Sequence, residues 1–436
     1  MILVGAMKKL TLLITFTIAL VTITYAAEDT SKTFLLDRIK EGREKLSTET
    51  VQAIQGVIGT KRVKVGRRKY KTIPIIGVIA REMALSIMGK DGAIRIVRAV
   101  KRNTELEVLT KGVVLSLRRE NGINSDIVVV SPPGGKVLAV KYPISNERQR
   151  FGPGPAFIEA IYSPYSVEIK TTEIVSNGMN VLREFIEKAY QRLDERKVMS
   201  RAFPGKKVID VIPRNVLLIL LINEHIDPSE FTSPGLAQPL SERVLTIVST
   251  NAARAYAYSI SPAGARGLVQ MIPGTYYRIA NLYGAAGLMS NFVAGMSDPV
   301  NSVMAQVLLC DSDWEAIRKR AEIAIEHIGP YLAAAYNGGV GRVLSILTND
   351  QEGWLEQPES NHQPTLTVKK RVPVRVRGKN GKMRRVYVVK SYTQPILRYE
   401  TNKYVRQYHW IREYLEALNK PDTRPRTVQP ALRSSN

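Results

Sequence analysis

The spacing of apolar residues predicts two regions of different character, which meet near residue 205. Thr33 to Gln55 carries apolar residues at helical spacing among charged ones, and Lys61 to Lys71 is basic and rich in turn-forming residues. Ile75 to Met88 is apolar, and Pro74 just before it is a typical helix start, so we predict a helix there. Short β-branched stretches bounded by Gly, Pro or Asn predict strands at Asp126 to Val130, Lys136 to Tyr142 and Ser166 to Ile174. Residues 30 to about 200 are therefore expected to be mixed α and β.

The region after residue 205 is expected to be mostly helical. A charged helix predicted over Met179 to Lys197 is followed by helix breakers at Pro204-Gly205 and Pro213. Beyond this boundary the apolar runs that predict helices are Val216 to Ile222, Glu242 to Ala257, 300 to 310, 315 to 328 and 330 to 347.

One segment of the helical region has strand periodicity instead. Within Leu366 to Lys390, valines alternate with other residues on both sides of Lys379-Asn380-Gly381-Lys382. Alternation around Asn-Gly is the strongest short-range sign of a β-hairpin, so we predict a hairpin whose basic residues face solvent or substrate.

The first residues are typical of an export signal. Lys8 and Lys9 precede the apolar run Leu10 to Ile23, and Thr24-Tyr25-Ala26 is a small-residue cleavage site, so the mature chain is predicted to begin near Ala27. An uncleaved N-terminal anchor is the alternative. The expected location is the periplasm or the cell envelope.

Charge and cysteine content narrow the classes of partner and site. The net charge of +24 and the sequence pI near 10.0 call for an anionic partner. Outside the cytoplasm the abundant polyanions are peptidoglycan, through its peptide carboxylates, and the anionic membrane surface. No nucleic acid is expected, because no nucleic-acid motif accompanies the charge. Cys310 is the only cysteine, which excludes an intramolecular disulfide and a zinc site built on paired thiolates, and we predict that it is a buried hydrophobe.

Chemistry is first indicated by a carboxylate at the end of an apolar run. Glu224 closes the run that begins at Val216. Neighbouring aliphatic side chains and the negative end of a helix dipole both raise the pKa of a carboxyl group, which suits a general acid at neutral pH. Glu242, beside Arg243, is the competing candidate, although a neighbouring arginine lowers the pKa of a carboxyl group.

Three further segments give the pattern its specificity. The first, Ser261-Pro-Ala-Gly-Ala-Arg-Gly-Leu-Val-Gln270-Met-Ile-Pro-Gly-Thr275, has two glycines that permit a tight turn. The others are Ala333-Ala-Ala-Tyr336-Asn337-Gly-Gly-Val-Gly-Arg-Val343 and Tyr399-Glu400-Thr-Asn-Lys-Tyr-Val405. With the Glu224 segment, and in this order, they resemble the lysozyme-like domain of soluble lytic transglycosylases, glycoside hydrolase family 23.

The resemblance implies an enzyme that cleaves the β-1,4 bond between N-acetylmuramic acid and N-acetylglucosamine in peptidoglycan and leaves 1,6-anhydromuramyl ends. It implies Glu224 as the sole general acid and base, with Ser261, Gln270, Tyr336, Asn337 and Glu400 as substrate-binding residues, and neither metal nor cofactor. The sequence departs from the family pattern where His225 follows Glu224 and where residues 226 to 260 intervene before Ser261.

The expected fold class is α+β. A mixed α/β region of unknown function (27–205) is predicted between the signal peptide (1–26) and a lysozyme-like, mostly α catalytic domain with a β-hairpin insertion (206–420), and a disordered tail (421–436) follows. Two alternatives stay open: a non-catalytic peptidoglycan-binding protein of envelope assembly, and a hydrolytic muramidase that admits water in place of the sugar's 6-hydroxyl. Protein partners cannot be inferred.

Overall fold

The computed structural model describes residues 34–145, 157–349, 355, 365–377 and 383–419. The predicted signal peptide, the predicted tail and the Asn-Gly turn lie outside these residues. The fold is mixed α+β, as predicted at that level. The described residues up to Glu184 together with Glu242–Tyr258 form one compact unit, and Phe185–Ser241 with the described residues from Ser259 onward form a second. None of the helices in these ranges is long and apolar enough to cross a bilayer.

The first unit is built on an antiparallel sheet with strand order β4-β3-β2-β7-β8. The sixth strand of this sheet, β1, pairs with the first part of the long strand β2, and β5 and β6 form a separate two-stranded sheet. The strands are β1 (Ala53–Lys64), β2 (Tyr70–Met88), β3 (Ile94–Arg102), β4 (Glu105–Val108), β5 (Val114–Arg119), β6 (Asp126–Ser131), β7 (Lys136–Ser145) and β8 (Phe157–Tyr162).

The end of β2 is buried on both faces. Met83 and Leu85 pack with Ile127 of the small sheet, whereas Ala84, on the opposite face, packs with Leu46 of helix α1 (34–47). Burial on both faces removes the alternation of apolar and polar residues that marks a half-buried strand.

Two of the elements predicted between residues 30 and 200 are wrong, for different reasons. The predicted helix over Ile75 to Met88 is strand β2. A stretch rich in apolar residues fits a strand as well as a helix, and here the pairing with β1, β3 and β7 decides. The predicted strand over Ser166 to Ile174 is a short 3₁₀ turn followed by helix α2 (Thr172–Glu195). The Thr171 hydroxyl accepts a hydrogen bond from the Ile174 N–H at 3.2 Å and so caps the start of that helix.

The second unit is mostly helical, apart from one hairpin. Helix α2 begins in the first unit and ends in the second. Helix α4 (Ala237–Asn251) begins in the second unit and ends in the first. The remaining helices are α3 (Arg214–Asn223), α5 (Pro273–Leu282), α6 (Phe292–Ser297), α7 (Pro299–Arg318), α8 (Ile328–Gly338), α9 (Val340–Thr348) and α10 (Tyr399–Asn419). The separate helix predicted over 315 to 328 is wrong, because α7 ends at Arg318 and α8 begins at Ile328.

Helices α3, α7, α8 and α10 form the core of this unit. Every residue from Val216 to Asn223 in α3 is buried, which explains why that run shows no polar face. Helix α10 packs against both α3 and α8. A Cβ on Gly329 of α8 would lie 2.1 Å from the Tyr408 hydroxyl of α10, so the close approach of these helices requires glycine. Cys310 of α7 is buried, as predicted, and burial raises the pKa of its thiol.

The predicted hairpin is confirmed as β9 (Thr365–Arg377) paired with β10 (Met383–Pro395), and we call these two strands the cationic hairpin. Lys370 lies directly opposite Lys390, and Arg375 directly opposite Arg385. No Asp or Glu occurs between residues 365 and 395. Like charges facing one another across two strands are destabilising, so a bound polyanion would stabilise this hairpin.

Candidate active site

Glu224 lies where a buried helix leaves the core of the second unit. Pro213 has extended backbone and precedes α3, and the Glu224 N–H donates to the Leu220 carbonyl at 3.0 Å, so Glu224 closes the last turn. A helix that is apolar on all sides can place a polar side chain only at its end. The chain thus brings one carboxyl group to the margin of a tightly packed core.

The Glu224 carboxyl group is desolvated although it stays reachable. The residue is half-buried, and burial raises the pKa of its carboxyl group from 4.5 to about 7. The neighbouring Tyr404 phenol opposes this shift and lowers the pKa. Within the described ranges no cation forms a salt bridge with Glu224. A carboxyl group with a pKa near 7 can both donate and accept a proton at neutral pH.

Two phenols from different helices stand beside this carboxyl group. Tyr336 comes from the end of α8 and Tyr404 from the start of α10, and burial together with the Glu224 charge raises the pKa of both phenols. The Tyr404 hydroxyl is buried, and none of the described residues accepts or donates a hydrogen bond to it with normal geometry. The Asn223 side-chain amide donates to the Tyr404 carbonyl at 3.1 Å, which ties α10 to the residue just before Glu224.

The loop that carries the Gly-rich segment is closed on itself. The Ser261 N–H donates to the Ala265 carbonyl at 3.0 Å, and the Ser261 hydroxyl accepts from the Ala265 N–H at 3.0 Å. Gly264 and Gly267 both have positive φ, and a Cβ on Gly267 would lie 2.2 Å from the Met296 carbonyl oxygen. Gly267 is therefore required both by its backbone conformation and by the space around it.

Gln270 completes this loop in a strained conformation. It has φ of 46°, which is uncommon for a residue with a side chain, and its side-chain amide donates to the Gly267 carbonyl at 2.8 Å. Strain of this kind is held in place only when the surroundings over-determine it, and it is common at functional sites.

Residues next to Glu224 supply those surroundings. The His225 Nε2–H donates to the Leu268 carbonyl at 2.8 Å, and the Tyr336 hydroxyl donates to the Val269 carbonyl. Burial lowers the pKa of His225 to about 4, so its ring is neutral near pH 7. Since Leu268 and Val269 directly precede Gln270, the loop is held by two neighbours of Glu224.

In the described parts of the chain, neither of the other two predicted site residues forms a hydrogen bond or an ion pair with Glu224. Asn337 is exposed at the end of α8, and Glu400 is exposed in the first turn of α10. Their predicted roles stay predictions. The structure therefore groups Glu224, Tyr336 and the Ser261–Gln270 loop, and leaves Asn337 and Glu400 at the surface.

Tyr404 is a site residue that sequence reasoning missed. It stands four residues after Glu400, in the same Glu-Thr-x-x-Tyr-Val segment, and this spacing puts the two residues on one side of a helix. The sequence signal that could have identified Tyr404 is its apolar neighbourhood, which indicates a buried position. Tyr404 is indeed buried, as are Val405 and Tyr408. A tyrosine buried at a helix start is as consistent with a core residue as with a site, and only the position of α3 distinguishes them.

The two other notable carboxyl groups lack this arrangement. Glu242 belongs to the first unit, where it accepts from Lys170 at 2.6 Å and so forms an ion pair. Asp313 of α7 is buried, and burial raises its pKa to about 7, but its charge acts on Tyr336 and Cys310. The described residues contain no group of three or more His, Cys, Asp or Glu that could hold a metal ion.

No family model, curated protein or solved structure matches this chain. The geometry of the site and the motifs of the sequence are therefore the basis for assigning a function.

Proposed function

We propose that this chain is an exported peptidoglycan lytic transglycosylase, that its second unit has a lysozyme-like arrangement, and that Glu224 is its single general acid and base. One observation carries the proposal: a half-buried carboxyl group with a pKa of about 7 lies beside Tyr336 and Tyr404, next to the loop that bears Gln270. These residues come from all four segments that resemble the soluble lytic transglycosylases.

The reaction can be written with this carboxyl group alone. Protonated Glu224 donates its proton to the glycosidic oxygen as the bond from C1 of N-acetylmuramic acid to that oxygen breaks. The carboxylate then accepts the proton of the sugar's own 6-hydroxyl as O6 bonds to C1 and closes the anhydro ring. No water is consumed, and Glu224 is protonated again. Hydrolytic glycosidases use a pair of carboxyl groups at a defined separation.

The neighbours of Glu224 have consistent roles in this reaction. The apolar surroundings of the carboxyl group keep it protonated for the first step, and the Tyr404 phenol stabilises the carboxylate that follows. His225 stands where the resembled family usually has serine, and its bond to the Leu268 carbonyl gives it a positioning role in this chain. The cationic hairpin, whose sequence contains no Asp or Glu, fits a substrate that is itself a polyanion.

The experiment is digestion of purified peptidoglycan sacculi by the mature full-length protein, followed by mass analysis of the released muropeptides. We expect products with 1,6-anhydromuramyl ends, lighter by one water than hydrolysis products, and the same yield with a metal chelator. Muropeptides with only reducing ends would instead establish a hydrolytic muramidase. Binding to sacculi without any released product, by parent and Glu224→Gln alike, would establish a non-catalytic wall-binding protein.

A further inference from the structure

A second concave site lies on another side of the helix that supplies Tyr404. Its volume is about 190 Å³, and we call it the α10 pocket. It is lined by four residues of α10 and two of the segment that follows α3: Tyr399, Lys403, Arg406, Trp410, Phe231 and Thr232. The four α10 residues follow one another at helical spacing, so they form one stripe along the helix.

The walls of this pocket are firmly held. Phe231 and Trp410 contact each other with ring centroids 5.2 Å apart, and the Gln407 side-chain amide donates to the Phe231 carbonyl at 3.1 Å. The loop that contributes Phe231 is therefore fixed to α10. A pre-formed wall lowers the entropy cost of binding a ligand.

Two cations line the pocket without an acidic partner. The Lys403 ammonium lies 4.9 Å from the centroid of the Tyr399 ring, and the Arg406 Nε is buried with no hydrogen-bond partner in the described chain. Neither side chain forms a salt bridge with any residue that the structure describes. Because the described residues give neither cation an acidic partner, an anion bound beside Lys403 and Arg406 would be favoured.

The chain path connects this pocket to the site around Glu224. Lys403 directly precedes Tyr404, and the segment that ends at Phe231 begins where α3 delivers Glu224. The two sites therefore share both of their supporting elements, within one unit.

We propose that the α10 pocket binds a carboxylate of the stem peptide of peptidoglycan, with Lys403 and Arg406 as the anion-binding residues and the aromatic rings as an apolar wall. This proposal rests on the proposed function for the identity of the polymer. The small volume fits an amino-acid-sized group better than a disaccharide. In the proposed substrate, the peptide is the part that carries carboxylates. The pocket would thus select glycan strands that still bear their peptides.

The test is direct binding to the full-length Glu224→Gln variant, which removes turnover from the measurement. The probes are N-acetylmuramyl-L-alanyl-D-glutamate with free carboxylates, the same compound with its carboxylates amidated, and inorganic phosphate. Tryptophan fluorescence reports binding, because Trp410 lines the pocket. We expect the free acid to bind at least about tenfold more tightly than the amide. Equal affinity for acid and amide, or tighter binding of phosphate than of the acid, would overturn the proposal.

Matched variants locate the binding. Lys403→Gln and Arg406→Gln should each weaken binding of the free acid about tenfold, whereas Arg320→Gln removes the same charge from an exposed position of this unit and should leave it unchanged. Tyr399→Leu changes a side chain that is 64% exposed, so it tests the aromatic wall without endangering the fold. If Arg320→Gln and Lys403→Gln weakened binding equally, the effect would come from the net charge of the protein, and the proposed binding in the α10 pocket would be refuted. Failure of the proposed function would look different: sacculi would stay uncleaved by the parent whatever these probes do.

Discussion

Replacing Glu224 with Gln should have opposite effects on turnover and on stability. Gln keeps the size and hydrogen-bonding reach of Glu but can neither donate nor accept the catalytic proton. We expect release of anhydromuropeptides from sacculi to fall by roughly 10²- to 10⁴-fold, the usual contribution of general acid–base catalysis. Binding to sacculi should persist, because the shape of the site is unchanged.

The magnitude of the stability effect follows from the pKa of Glu224. The free energy equivalent of a rise from 4.5 to about 7 is roughly 3 kcal/mol at about 1.36 kcal/mol per pH unit, and partial exposure of the residue reduces it to about 2 kcal/mol. The pKa is raised in the folded state, so the full stability is present below pH 4.5 and is lost as the pH rises to about 7. The parent should therefore lose about 2 kcal/mol across this window, and the Gln variant should not.

The assay compares unfolding of parent and variant at two pH values. The free energies of unfolding should be equal near pH 4, and the variant should be more stable by about 2 kcal/mol near pH 8, with a higher Tm. Glu242→Gln is the matched control: it breaks the ion pair with Lys170, so it should lower stability while turnover stays within a few-fold of the parent. An active and destabilised Glu224→Gln beside an inactive Glu242→Gln would show that the acid has been assigned to the wrong helix.

Three further predictions concern the surroundings of Glu224 and the surface. Tyr404→Phe removes a phenol that lowers the pKa of Glu224, so the alkaline limb of the pH profile of kcat/KM should move to higher pH; an unmoved limb would mean that the phenol does not act on the carboxyl group. Gly267→Ala should cost about 1–3 kcal/mol more stability than Gly264→Ala, since both sites have positive φ but only at Gly267 would the new Cβ meet a carbonyl oxygen, at 2.2 Å; equal unfolding free energies would refute this account. Replacing the cationic hairpin with a short turn should weaken sacculus binding at low salt more than it lowers turnover of a short soluble glycan, and the remaining binding should depend less on salt; unchanged binding would place the anchoring surface elsewhere.

The sequence by itself determined those features that depend on residues near one another in the chain. The alternating valines on either side of Asn380-Gly381 predicted the cationic hairpin, because strand period and turn chemistry are both local properties. The aliphatic run from Val216 predicted helix α3 with Glu224 at its end. The two glycines of the Ser261–Gln270 loop indicated a tight turn, and both have positive φ.

Tertiary structure decided what depends on distant parts of the chain. Ile75 to Met88 is a strand because β1, β3 and β7 pair with it, and the apolar content of such a stretch does not by itself distinguish a strand from a helix. The role of Tyr404 arises from the packing of α10 against α3, and the cations of the α10 pocket meet Phe231 only because the chain returns from a remote segment. The pKa of Glu224 is set in the same way: a carboxyl group becomes an acid at neutral pH when side chains from several elements exclude water from it, and burial of that kind exists only in the folded chain.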